Sequence, residues 1–171
     1  MSEPANVATA PAVIADQLRQ GLRRLGKAVV VITAWHDERR WAMTATAVSE
    51  LSMEPPSLLV CVNRSASLHG PLTGGASFCV NILHSDQLNV SQACSGKLKG
   101  EERFREGEWG AGPCGTPYLR GAQASFFCGY ETHVEYGTHA VVIGAVREVG
   151  VTGDVDPLIY LDGGYARAAR L

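Results

Sequence analysis

Short runs of β-branched and small apolar residues, closed off by turn-forming or charged residues, constrain this chain's fold more than any other feature. Ala28–Trp35 carries Val29, Val30, Val31 and Ile32 in succession. Trp41–Val48 alternates small residues with threonine, and Ser57–Val62 and Ala76–Leu83 read as buried strands. Gln123–Glu135 and Thr138–Val149 read as a long hairpin turning at Tyr136-Gly137, with Leu158–Leu161 as a last short strand. Strands this closely spaced, with few helices between them, predict a mainly β, antiparallel barrel rather than a parallel sheet.

The helical content is small. Leu18, Leu22 and Leu25 recur at i, i+4 and i+7 within Asp16–Gly26, an amphipathic helix for which Gly26 is a suitable stop. Short helices are expected at Ser67–Thr73 and Ser85–Ala93, and Gly96–Pro117 reads as a loop rich in glycine and charge. Residues 1–11 read as a flexible tail and 12–171 as one domain.

Several function classes are disfavoured. With 46% hydrophobic and 19% charged residues the chain is globular, not disordered. Its net charge of −2 comes with no basic stripe, so nucleic acid is not an expected partner. Apolar stretches such as Ala28–Ile32 fall far short of the roughly 20 residues that span a bilayer. The N-terminus lacks a basic segment followed by an apolar one, so no signal peptide is read and a cytoplasmic, membrane-free protein is expected. The five cysteines form no CxxC pair and read as reduced, buried thiols. His133 and His139 lie three residues either side of Tyr136 and are expected to face each other, but two ligands make a poor zinc site, so no metal is expected. No GxSxG or GxxxxGK[ST] occurs, and no GxGxxG is read as following a strand.

Two stretches carry candidate chemistry. Met43–Ser49 places the hydroxyls of Thr44 and Thr46 on one strand face among small residues. A flat aromatic ligand needs that combination of space, exposed backbone and hydroxyls, although a plain half-buried strand shows the same pattern. Asn63–His69 follows a buried strand and opens a helix, combining hydroxyls, a guanidinium and helix N-terminal amides. That suits an anion such as phosphate, and it also suits Ser65 or Ser67 as a helix cap.

Taken in order, these and other segments resemble the flavin reductase-like, FMN-binding split-barrel family, the short-chain reductase components of two-component aromatic monooxygenases. The resemblance runs from about Leu18 to Arg167. It is carried by Lys27–Thr33, Met43–Ser49, Leu51–Pro56, Leu59–Asn63, Ser67–His69, Phe78–Leu83, Arg103-Phe104, Gly137–Val146 and Pro157–Tyr160. It implies an antiparallel split β-barrel of Greek-key topology, a homodimer and one flavin, FMN or FAD, per subunit. Implied flavin contacts are Met43, Thr44, Ala45, Thr46, Ala47, Ser49, Asn63, Ser65, Ser67, Phe78, Val80 and Asn81, with Arg103 and Phe104 nearby. The family's Gly-Asp-His segment stands here as Gly137-Thr138-His139, which puts His139 where the nicotinamide of NADH or NADPH docks and removes a carboxylate beside it. Gly164–Arg167 matches a tail segment that lies near the same place.

The implied activity is hydride transfer from NAD(P)H to flavin, followed by release of reduced flavin to a partner monooxygenase. Such a step needs alignment of two cofactors and no general base, so His139 is cast as a positioning group. Alternatives on the same barrel are an electron-transfer or redox-sensing flavoprotein without free-flavin turnover, and an oxidase or corrin reductase with a fixed flavin.

Overall fold

The computed structural model describes residues 11–170. α1 (Pro11–Leu22) leads into β1 (Lys27–Ala28), β2 (Val30–His36) and β3 (Arg39–Ala45). A second hairpin, β4 (Val48–Met53) and β5 (Pro56–Asn63), is followed by α2 (His69–Thr73), β6 (Phe78–Ile82) and α3 (Leu88–Gln92). After two short helical coils, a π turn at Ala93–Lys97 and a 3-10 turn at Gly100–Phe104, come β7 (Trp109–Ala111) and β8 (Pro117–Leu119), then the long hairpin of β9 (Ala124–Tyr136) and β10 (His139–Val151). β11 (Leu158–Leu161) and β12 (Gly164–Arg167) form the last hairpin.

The main sheet has seven antiparallel strands in the order β3-β2-β6-β9-β10-β5-β4. Its two edge strands, β3 and β4, are consecutive in the chain and joined only by Thr46-Ala47. The sheet therefore curls until its edges meet at that corner without bonding to each other: a barrel split along one seam. The Cys61 amide donates to the Ala47 carbonyl at 2.9 Å and holds the corner against β5. The expected antiparallel split-barrel class is the one observed.

The β-branched run around β2 explains why the sheet can be covered on both faces. Side chains alternate across a strand, so Val30, Ile32 and Ala34 enter one core while Val29 and Val31 enter another. The first core lies inside the curl, with Val60, Val62, Leu68, Leu72, Phe78 and Val142. The second lies under α3 and β8, with Leu83, Val90, Phe104, Leu119 and Leu158. Close packing has a local requirement at Gly144, where an added Cβ would stand 2.5 Å from Phe78 Cζ.

The structure departs from the sequence reading in specific places. The first helix spans Pro11–Leu22 instead of ending at Gly26, and buries none of its residues in this chain. The expected tail lies outside the described residues except for Pro11, which opens the helix. The Trp41–Val48 run is two strands, because the chain must turn at Thr46-Ala47 to cross the seam. The Gly96–Pro117 loop contains β7, and Gly164–Arg167 is a strand. Gly110–Gly115 has GxGxxG spacing, but it spans β7 and a tight turn into β8, not a strand-to-helix junction. His139 pairs with Tyr136 and His133 with Val142, so the two histidines do not face each other.

Candidate functional site

The open edge of β3 is where polar groups converge. β2 covers one side of β3, and among the described residues no strand covers the other. Arg103, from the short coil Gly100–Phe104, lies against that edge. Its Nη1 donates to the Ala42 carbonyl at 2.5 Å and to Ser67 Oγ at 3.0 Å, while Nε donates to the Leu98 carbonyl at 2.9 Å. Nη2 has no protein acceptor among the described residues. The coil is anchored by Phe104, which is buried and meets Trp109 edge-on at 5.0 Å between ring centres. Arg40 adds a second tie, with its guanidinium 4.2 Å from the centre of the Phe104 ring and its Nε donating to Glu101 at 2.8 Å. The result is a cleft of about 420 Å³ lined by Trp41, Ala42, Ser65, Ser67, Lys99 and Arg103 among others.

The turn after β5 forms the facing wall. Asn63 Oδ1 accepts from the Ser65 amide at 2.9 Å and from the Ser65 hydroxyl at 2.8 Å, an Asx turn. α2 begins only at His69, and neither Ser65 nor Ser67 caps it, contrary to the cap reading. The Ser67 hydroxyl meets Arg103 instead.

The tip of the β9–β10 hairpin is fastened to this turn. The Arg64 amide donates to the Thr138 carbonyl at 2.9 Å, and Arg64 Nε donates to Glu135 at 2.7 Å. The other Glu135 oxygen is 3.2 Å from His69 Nε2. The Arg64 hydrogen bond and charge, helped by His69, hold the Glu135 carboxyl below the usual carboxylate range. His139 opens β10 opposite Asn63. Its Nδ1 is 2.9 Å from Thr138 Oγ1, and its Nε2 has no protein partner among the described residues. The Thr138 hydroxyl thus meets the imidazole at Nδ1.

The proposed contact residues are not all gathered in one place. Ser65, Ser67 and Arg103 line the cleft, Asn63 and His139 sit side by side at its hairpin wall, and Phe104 is buried beneath it. Met43 and Ala45 pack half-buried against the first core. The Thr44 hydroxyl donates to the Ser91 carbonyl at 2.6 Å, and Ser91 Oγ lies 2.9 Å from Tyr165 Oη on β12. Thr46 lines a different groove, between α1 and the β11–β12 turn, while Ala47 serves the seam. Ser49 and Val80 line an apolar groove of about 390 Å³ on the far side of the seam. Phe78 is 1% exposed. The Asn81 side chain is wholly interior, donating to the Val31 carbonyl and accepting from the Leu119 amide and Ser125 Oγ. That carboxamide joins β6 to β2, β8 and β9.

Sequence reasoning missed Trp35, Arg39, Arg40, Trp41 and Lys99, which line the cleft or its neighbour. The available signal was a pair of tryptophans and two adjacent arginines flanking the tight Asp37-Glu38 hairpin turn.

Comparison with known proteins extends this picture. The sequence profile of the family described as "Flavin reductase like domain" matches residues 22–169. The chain is 43% identical over 162 residues to the reductase component of the FADH(2)-dependent resorcinol hydroxylase of Rhizobium sp. (strain MTP-10005), covering 94% of this chain and 90% of that one. It is 39% identical over 153 residues to the FMN reductase (NADH) RutF of Stutzerimonas stutzeri (strain A1501), covering 90% and 88%. Among solved structures it superposes on BorF, the flavin reductase component of a bacterial two-component tryptophan halogenase. The TM-score is 0.83 at 29% identity, over 92% of this chain and 99% of that one. The NADH:FAD oxidoreductase SgcE6 of Streptomyces globisporus C-1027 gives a TM-score of 0.85 at 25% identity, over 98% and 100%.

Proposed function

The chain belongs to the flavin reductase like domain family, and from that premise we propose that it reduces FMN or FAD with NADH and releases the reduced flavin to a partner monooxygenase. The observation that carries this reading is the cleft along the unpaired β3 edge, with Ser67 and Arg103 in contact at one end. Its donor set fits a flavin. Arg103, Lys99 and the serine hydroxyls suit a phosphate, and an unpaired strand edge offers peptide donors and acceptors to a planar heterocycle.

When bound, the flavin supplies the redox chemistry, accepting a hydride from the nicotinamide. The chain's own residues bind and orient. Ser67 and Arg103 would hold the phosphate, with Arg103 fixed in place by the Ala42 and Leu98 carbonyls. His139 would steady the nicotinamide carboxamide, its Nδ1 engaged by the Thr138 hydroxyl and its Nε2 left available. No proton need be moved by a side chain for the hydride step. Ser65, Ser67 and Lys99 are exposed, and a cleft so open to water suits a flavin that leaves after each turnover.

The same reading includes a homodimer in the cytoplasm. Support for the dimer comes from the apolar groove bounded by β4, β5 and β10, beside which Met53 is 81% exposed, and from the unburied Leu18, Leu22 and Leu25 near α1. Support for a reducing compartment comes from the cysteines, all free thiols, although only Cys79, Cys94 and Cys128 are buried as expected, Cys61 being half-buried and Cys114 exposed. Burial pushes the Cys94 and Cys128 thiols up to about 12, which makes them poor nucleophiles.

The test is absorbance at 340 nm with catalytic protein, excess NADH and a large excess of free flavin. Many equivalents of NADH consumed per protein support a flavin-releasing reductase. A single stoichiometric oxidation contradicts it and favours a fixed flavin.

A further inference from the structure

The cleft at Ser67 and Arg103 does not stop at β3. It shares Arg40, Trp41 and Gly100 with a second cavity of about 460 Å³, whose remaining walls include Trp35, Arg39 and Glu101. The mechanism above uses none of these three. Trp35 is 43% exposed, at the end of a strand whose preceding residues are buried. The Gly115 turn approaches its indole, an added Cβ there lying 3.8 Å from the ring Cγ, which supports the ring without covering it. Arg40 stands opposite Trp35 in the β2–β3 register and is tied down by Glu101 and Phe104. Arg39 pairs with His36, one position from the Trp35–Arg40 pair, and so leaves β3 from the opposite face of this edge strand; it is exposed and has no ion-pair partner among the described residues.

The charge is concentrated here. Together the two cavities are lined by Arg39, Arg40, Lys99 and Arg103 against Glu38 and Glu101, on a chain whose net charge is −2. A phosphate site thus continues into a chamber with one open indole and one free guanidinium. That is the chemistry of a purine attached through a phosphate: the base stacks on the aromatic ring and the anion meets arginine. The volume falls within the roughly 300–1,000 Å³ typical of small-molecule sites.

We propose that this second cavity is the subsite for the adenylate half of a dinucleotide, with Trp35 as the stacking platform and Arg39 as the contact to phosphate. The proposal rests on the reading of the first cleft as the flavin site. Adenylate has two sources here, FAD and NADH. FMN ends at the phosphate held by Ser67 and Arg103, so only the longer flavin reaches Trp35.

The experiment is steady-state kinetics of the full chain and its Trp35→Ala, Trp35→Phe and Arg39→Ala variants. FAD and FMN are compared at saturating NADH, and NADH and reduced nicotinamide mononucleotide at saturating FMN. If FAD supplies the adenylate, Trp35→Ala raises the KM ratio of FAD to FMN by about 5-fold or more, a loss of the size that removing a stacking ring causes. Trp35→Phe keeps most of the wild-type ratio. If NADH supplies it, the same pattern appears in the ratio of NADH to the mononucleotide. Arg39→Ala, on an exposed side chain, shifts the same ratio and does not depend on the tryptophan variants folding. Both ratios unchanged in all variants would overturn the subsite while leaving the reductase reading intact. Absence of reduction by the wild-type protein with every pair would overturn the reductase reading itself.

Discussion

Arg103 makes three hydrogen bonds that lock its guanidinium between a strand edge, a coil and Ser67. A cation held this way loses little freedom when an anion arrives, so its removal should be costly for a phosphorylated flavin. Hydrogen bonds to charged groups contribute about 1.5–3 kcal/mol, so Arg103→Ala is expected to weaken FMN binding by roughly 10- to 100-fold. Riboflavin, which has no phosphate, should lose much less, and fluorescence titration of both ligands reads the difference. Equal losses would mean that Arg103 only holds the coil. His139→Ala is expected to lower NADH turnover while leaving FMN affinity within a few-fold, as stopped-flow reduction and flavin titration would show. At Gly144 the contact with Phe78 is already closed, so Gly144→Ala should destabilise the fold by about 1–3 kcal/mol in denaturant melts. Hydroxyls and arginines of this kind were legible in the sequence as chemistry. Their partners were not: Ser67 reads equally as a cap until Arg103, 36 residues later, is seen beside it. Asn81 shows the converse, because a polar residue in an apolar run looks like a ligand until the core closes around it.

At the scale of elements, the run of valines in β2 announces a doubly covered strand, and the β9–β10 hairpin is plain from its paired periodicity and from Gly137 at positive φ in the turn. The break between β3 and β4 was hidden, since no glycine or proline marks Thr46-Ala47; the bend comes from closing a sheet, a tertiary demand. The β11–β12 hairpin was half visible for the same reason. Its hold on the rest of the protein is electrostatic as well as apolar. Asp156 accepts from Ser85 Oγ at 2.6 Å and pairs with Arg167 on β12. The Arg167 hydrogen bond, then that of Ser85, holds the Asp156 carboxyl below its usual range. A carboxyl depressed in the folded state stabilises above its unfolded pKa, and that contribution is lost as pH falls through the folded value. Asp156→Asn is therefore expected to speed hydrogen exchange of the β11–β12 amides at neutral pH. The difference from wild type should vanish below the carboxylate range. Equal exchange at pH 7 would show that Tyr165, Leu158 and their neighbours hold the hairpin alone.

For the whole molecule, the seam is the feature that turns a barrel into a site. A closed barrel has no free strand edges, whereas among the described residues this one leaves the outer edges of β3 and β4 without a strand partner and sets the Arg103 coil against one of them. The apolar groove beyond the other edge is the surface that a second copy is expected to cover. Analytical ultracentrifugation should give twice the mass of one chain, and Met53→Glu should shift the population toward monomer; a monomeric wild type would contradict that arrangement. The barrel class was readable from strand spacing, but the seam's position was not, because it depends on which edges fail to pair. The most direct test of the account is a crystal structure of the protein soaked with FMN. The flavin ring should lie along the outer edge of β3 with its phosphate between Ser67 and Arg103. Flavin found in the β4–β5 groove instead, or nowhere near β3, would contradict it.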